Sequence, residues 1–230
     1  MSLVLSIETA ANGCSVAIHR EGVFVAEKVQ YESRSAAEQL TVLIQELLAE
    51  VSLQLNELSA IAVSKGPGSY TGLRIGVSTA KGLCYASDLP LISVNTLDIM
   101  ALDESVKDFK GLLCPMLDAR RMEVYCKVFR QDVTIEETQA LILDQHSFGS
   151  YLEKDQILFF GSGAGKFSEL IKNQNAVFIS QEMRPQARNM GKQVYQKYKS
   201  GQFEDVADFE PFYLKEFMMT APSKSKKVVA

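Results

Sequence analysis

The sequence predicts an α/β fold built twice. Apolar residues recur with a period near 2 in some segments and near 3.6 in others, and clusters of Gly, Pro and Asn separate those segments. The order strand, strand, strand, helix, strand, helix, strand, helix then occurs in each half of the 230 residues.

In the first half, strands are expected at 3–7, 14–18 and 23–29, on the turn signals "AANG" and "REG". A helix follows over 36–51. Its Leu40, Leu43, Ile44, Leu47, Leu48 and Val51 fall at i, i+3, i+4, i+7, i+8 and i+11, which is one continuous face. Next come a strand at 60–64, a helix rich in small residues over 72–87, a strand at 91–94 and a short helix over 97–104. In the second half, strands are expected at 111–117, 122–129 and 139–143, then a helix over 146–153. A strand at 157–161, a helix over 166–173, a strand at 176–180 and a helix over 186–199 complete it. The halves match in order and not in residue identity.

Two such halves facing one another define the actin-like ATPase and sugar-kinase architecture, the ASKHA or ribonuclease H-like group with its duplicated βββαβαβα unit. That architecture alone implies no function. The expected organisation is an N-terminal subdomain over 1–106 bearing partner-binding helices, a C-terminal subdomain over 107–220, and a disordered basic tail over 221–230.

The order also says where chemistry would sit. In this architecture the first hairpin of each half carries a phosphate loop, with an acid near its start for a metal. Here the first hairpin, "SIETAANGCSVAI", offers Glu8 and Thr9, and the second, "MLDARRMEVYCKVF", offers Asp118, Arg120 and Arg121. A third element, "FFGSGAGKF", leaves a strand and opens a helix, and its Gly161, Gly163 and Gly165 would allow close approach of an adenosine. The hairpins carry Ala10, Ala11, Ala119 and Arg120 where phosphate loops need glycine, so the sequence describes a degenerate cleft. The competing readings are a plain strand-to-helix turn for "GSGAGK" and solvated hairpin charges for the arginines.

The stretch "AIAVSKGPGSYTGLRIGVSTAKGL" resembles phosphate motifs but fails each by spacing. Gly66 and Gly72 are too far apart for a P-loop, and Leu73 stands where its lysine should be. For a dinucleotide fingerprint the third glycine comes one place late. Around Ser69 the flanks of a nucleophile elbow are Pro67 and Thr71 rather than glycines. Packing is the remaining cause: Gly72, Gly76 and Ala80 lie four apart on one helical face and would let another backbone come close.

A net charge of −4 argues against a strong nucleic-acid binder. Cys14, Cys84, Cys114 and Cys126 lie in apolar segments without a C-x-x-C pair and read as reduced core residues. The start "MSLVLSIETA" lacks a basic region and meets Glu8 too early for a signal peptide. No apolar run approaches the ~20 residues that span a bilayer. A cytoplasmic protein without a membrane contact is expected.

The motifs "GPGSYTGLRIGVSTAKGL", "LPLISVNTLDIMA", "LDARRMEVY" and "PFYLKE" resemble those of the bacterial TsaB (YeaZ) family, from "SIETAANGCSVAI" to Glu216. The resemblance implies an actin-like fold and a role in making threonylcarbamoyladenosine in tRNA. The implied partners are the paralogue TsaD, of the glycoprotease (Gcp) group, and the small ATPase TsaE, with tRNA met only through the complex and a homodimer when alone. It also implies a subunit that is not the catalyst. TsaD holds its metal with paired helix histidines, whereas His19 and His146 here have no spaced partner. Where relatives often read "R-H-A-E-x-L", this chain reads "RSAAEQL", with Ala36 at the histidine position.

No catalytic residue, metal or cofactor is therefore expected, with ATP or ADP in the cleft as the alternative. A nucleotide hydrolase or kinase using Glu8 and Asp118 is the competing function, and a metallopeptidase the weaker one. The expected partner surface is Leu40, Leu43 and Leu47 on the first long helix with Gly72, Leu73, Gly76, Val77 and Ala80 on the second. On that reading, Val77→Glu leaves the chain folded and abolishes co-purification with TsaD. The alternative is that this helix face lies on the chain's own sheet. The lysines Lys224, Lys226 and Lys227 add either a weak attraction to tRNA or only solubility.

Overall fold

The computed structural model describes residues 2–31, 36–179 and 183–214, so the basic tail lies outside the described residues. The N-terminal lobe runs β1 (Leu3–Glu8), β2 (Cys14–Arg20), β3 (Val23–Gln30), α1 (Ala36–Glu50), β4 (Ala60–Gly66), α2 (Tyr70–Ser87), β5 (Leu91–Asn95) and α3 (Thr96–Ala101). Its sheet has the order β3-β2-β1-β4-β5. The first three strands are antiparallel, and β4 and β5 run parallel to β1. Helices cover both faces, which is why "LVLSIE" and "AIAVSKG" read as nearly unbroken apolar runs. Leu5, Ile7, Val16, Ile18, Ile61 and Val63 point beneath α1 and α2. Ser69 starts α2 by accepting a hydrogen bond from the Gly72 N–H (3.2 Å), and Asp88 ends it in the left-handed conformation.

The second half repeats the plan with β6 (Leu112–Asp118), β7 (Glu123–Arg130), β8 (Val133–Ile142), α4 (Gly149–Leu152), β9 (Ile157–Phe160), α5 (Ala164–Leu170) and β10 (Ala176–Phe178). Its strand order, β10-β9-β6-β7-β8, is that of the first sheet with each strand replaced by its counterpart. Two expectations are corrected. Strand β8 begins at Val133, not 139, because an edge strand with exposed Val133 and Ile135 lacks the inward alternation that marks a strand. The helix expected over 146–153 is a single turn, held over Phe159 and Phe167 by Phe148.

A further correction concerns the boundary at 106/107. The chain leaves the second sheet, makes a 3₁₀ turn at Ala187–Met190, and enters α6 (Gly191–Lys199) against the first sheet. Met190 and Val194 pack there on Val4, Ala60, Ala62, Ile92 and Val94, a face kept low by alanines. His19 anchors the turn. Its Nε2 faces the Arg188 carbonyl at 3.0 Å and must donate, so its Nδ1 accepts from Ser6 Oγ at 3.0 Å. Burial holds its pKa below the ordinary value, so the ring is neutral. Residues 187–199 thus belong with the N-terminal lobe. Helix α3 wedges between the lobes, with Ile99 facing the first sheet and Leu97 and Met100 the second. Buried Lys127 of β7 ties it down through Asp98 at 2.8 Å.

Candidate functional site

The carboxyl end of β1 delivers Glu8 to the place where a metal-binding acid would stand, and the chain then seals it. Glu8 is 2% exposed. Its Oε1 accepts the Ala10 N–H at 2.5 Å, and the Ser64 hydroxyl of β4 hydrogen-bonds the carboxyl. Its Oε2 and the Thr9 Oγ1 find no hydrogen-bond partner among the described residues. Burial outweighs the hydrogen bonds and pushes the Glu8 pKa up from 4.5 to about 7.

Glycines close this end. A Cβ on Gly72 would run into the Thr9 carbonyl, and one on Gly76 into Thr9 Oγ1. The Ser69 N–H donates to the Ala10 carbonyl at 2.7 Å. The glycine-rich loop thus cradles this chain's own hairpin in place of a phosphate. The described residues of the "PFYLKE" motif join it: the Phe212 N–H donates to the Lys65 carbonyl at 2.7 Å, and Tyr213 lies on Tyr70 with ring centroids 4.9 Å apart. Lys81 Nζ pins the preceding segment through the Ala207 and Phe209 carbonyls, each at 3.0 Å.

The opposite lobe presents Asp118 at the end of β6. Lys166, the lysine of "GSGAGK", reaches its Oδ1 at 2.6 Å, and the Arg120 N–H donates to the same oxygen at 2.6 Å. The Asp118 N–H donates to Ser162 Oγ at 3.1 Å. The close approach that Gly161 and Gly163 allow is to β6 itself, where a Cβ would meet the Met116 carbonyl or Leu117, while Gly165 stands in open space. These are the contacts of a tight strand-to-helix turn. Arg120 (φ 70°) and Arg121 (φ 52°) sit exposed in the left-handed region, at a strain on the order of 1 kcal/mol each. A cavity of 440 Å³ lies elsewhere, lined by Phe24, Leu113, Arg188 and Lys192, and neither acid reaches it.

All eight residues expected on a partner surface are buried within this chain. Val77, at 3% exposed, packs with Ala80, Leu40, Leu43 and Leu47 over the sheet, and Leu73 is equally buried. The physical reason is the hairpin: Gly72 and Gly76 are small because Thr9 occupies the space beside them. What α1 and α2 turn outward is a different set. On α1 it includes Val42 (42% exposed) and Gln45, and on α2 it includes Arg74, Tyr85 (88% exposed) and a second small ridge, Ser78, Gly82 and Ala86. Nothing lies within 4 Å of a Cβ built on Gly82. Sequence reasoning missed this ridge, although its i, i+4 spacing was readable one residue pair further along the helix.

Fold and site together define a class: a two-lobed actin-like protein whose cleft acids are each engaged by its own chain. The family model of TsaD, tRNA N6-adenosine threonylcarbamoyltransferase, matches residues 27–201. The Escherichia coli (strain K12) tRNA threonylcarbamoyladenosine biosynthesis protein TsaB is 30% identical over 219 residues, covering 92% of this chain and 94% of its own. A Pseudomonas aeruginosa protein with similarity to peptidase YeaZ superposes with a TM-score of 0.82 at 24% identity, over 94% of this chain and 100% of that one. The inorganic polyphosphate/ATP-glucomannokinase of Arthrobacter sp. strain KM does so at 0.51 and 11% identity, over 87% and 100%. These two likenesses give the fold, that of the actin-like sugar kinases. The chain belongs to the TsaB (YeaZ) family.

Proposed function

We propose that the protein is a non-catalytic accessory subunit in the biosynthesis of threonylcarbamoyladenosine in tRNA, binding and activating the TsaD paralogue together with TsaE in the cytoplasm. The observation that carries this reading is that both cleft acids are already taken. Glu8 is sealed under the Ser64–Thr9 contacts, and Asp118 is held by Lys166. A catalytic carboxylate must reach a metal or a substrate; Glu8 is buried against its own chain, and the half-exposed Asp118 is engaged by Lys166 and the Arg120 N–H.

The outward face of α1 and α2 supports the partner role. Ser78, Gly82 and Ala86 form a low ridge flanked by Tyr85 and Val42, which suits a close helix-on-helix contact. A paralogue with the same helix pair would complete a four-helix bundle, and a second copy of this chain would use the same face when the paralogue is absent. The test is tRNA modification reconstituted from TsaD and TsaE, with and without this protein. Product should form only when it is present; equal product in both reactions ends the reading.

The alternative of a nucleotide hydrolase predicts turnover by the purified chain alone, abolished by Asp118→Asn. A peptidase would need a metal or a nucleophile, and the family's histidine role is not available to His19, whose two ring nitrogens are spent on Ser6 and Arg188.

A further inference from the structure

Buried charge joins the two lobes at the middle of β7. Lys127 is the charged residue that this strand buries, at 7% exposed. Its Nζ lies 2.8 Å from Asp98 Oδ1 on α3 and 3.5 Å from Glu137 Oε2 on β8, with the centroid of the Phe129 ring at 5.1 Å. Asp98 Oδ1 makes no hydrogen bond to another described residue, so the ammonium is what compensates it. Beside this cluster Asn95 Nδ2, at the end of β5, donates to Thr138 Oγ1 of β8 at 3.0 Å. Both links run from the N-terminal lobe to the second sheet. A third, from Lys192 of α6 to Asp132 in the turn after β7, stands exposed at both ends. Around the buried cluster the contact is apolar, with Leu97 and Met100 of α3 set on Leu113, Leu117 and Phe160.

The two kinds of contact do different things. Apolar attraction has no direction, and a methionine side chain repacks readily, so that surface by itself accepts a range of angles between the lobes. A buried ion pair adds little net stability, because removing its charges from water costs about as much as their attraction contributes. What it adds is direction, since any arrangement that parts Lys127 from Asp98 leaves a buried charge without its partner. We propose that Lys127 is a latch that fixes the angle between the lobes by holding α3 against the second sheet in one arrangement. The apolar contacts supply the adhesion, and the Asp98–Lys127–Glu137 cluster supplies the register. The cleft that Glu8 and Asp118 flank then neither opens nor closes, and a partner meets one fixed shape. The inference does not depend on which partner that is.

The test follows the lobe angle in the full chain by single-molecule fluorescence transfer between dyes on N56C in the first lobe and E169C on α5 in the second. Both positions are exposed and the four native cysteines are buried, so the dyes attach at the introduced pair. The chain with no other change should give one narrow transfer peak. K127M/D98L replaces the pair by apolar side chains of similar size, so it should melt at or above the temperature of that chain. Its transfer peak should nevertheless widen at least twofold or split. D98N keeps an oxygen for the ammonium but not the charge, and it should widen the peak too. K192M removes only the exposed pair and should leave the peak unchanged. A narrow peak in either K127M/D98L or D98N overturns the proposal, as does a broad peak in the chain that keeps Lys127 and Asp98. Equal widening by K192M overturns it, because any charge between the lobes would then serve. A K127M/D98L that no longer folds overturns it as well, since the pair would then sustain the fold instead of choosing the angle.

Discussion

Replacing Glu8 by Gln is predicted to stabilise the protein above neutral pH and to leave it unchanged in mild acid. The folded carboxyl titrates at about 7 against an ordinary value of 4.5, chiefly because burial penalises its charge. Between those two values the unfolded chain gives up this proton before the folded one does, so stability falls as pH rises through the window. At 1.36 kcal/mol per unit, the loss is complete above pH 7 at about 3 kcal/mol. Gln cannot ionise, and it keeps an oxygen to accept the Ala10 N–H that Glu8 now accepts at 2.5 Å. The difference between Glu8→Gln and the unsubstituted chain isolates this one group from all other carboxylates. Urea unfolding of both at pH 4.5, 6, 7 and 8 should give curves that coincide at the acid end and separate progressively towards pH 8, with Glu8→Gln the more stable. A constant offset at every pH would refute the reasoning, as would a less stable Glu8→Gln at pH 8.

Five other outcomes follow from the same geometry. Gly72→Ala drives a Cβ into the Thr9 carbonyl and should destabilise by about 1–3 kcal/mol, whereas Gly82→Ala meets open space and should stabilise by about 0.5–1 kcal/mol; thermal melts of the pair check both. Val77→Glu buries an unpaired charge in the core, so it should unfold the chain or lower its stability by several kcal/mol, in contrast to the folded but non-binding variant that sequence alone suggests. Lys166→Ala frees a half-exposed Asp118 and should shift stability by less than about 1 kcal/mol, measured by urea unfolding. Because burial lowers the His19 pKa, its neutral form contributes stability at and above its ordinary value of 6.5 that is lost as pH falls through the folded pKa; His19→Gln should flatten that acid limb.

The duplicated order of elements was legible because each sheet centre is covered on both faces, which turns β1, β4, β6 and β9 into nearly unbroken apolar runs. Edge strands and short helices were less legible. Val133 and Ile135 face solvent on β8, so hydrophobicity there says nothing about burial. The acids Glu8 and Asp118 were found at the right strand ends, but their state was not, because the partners that engage them, Ser64 and Lys166, lie 56 and 48 residues away in sequence. The inward and outward small ridges of α2 share one spacing. Periodicity locates a face but cannot say whether a hairpin or a partner fills it, and only the position of Thr9 decides. The crossing of α6 to the first sheet was equally hidden, since Met190 and Val194 would suit either sheet.

The central claim is that this chain acts through the outer face of α1 and α2 and not through its cleft. One reconstitution tests it: tRNA modification by TsaD and TsaE, supplemented in turn with the unsubstituted chain, with E8Q/D118N, and with V42E/Y85E, each checked for folding by its melt. The account predicts that E8Q/D118N supports modification as fully as the unsubstituted chain, while V42E/Y85E, folded, supports none and no longer captures TsaD. A folded E8Q/D118N that fails, alongside a V42E/Y85E that works, would place the chemistry in the cleft and contradict the account.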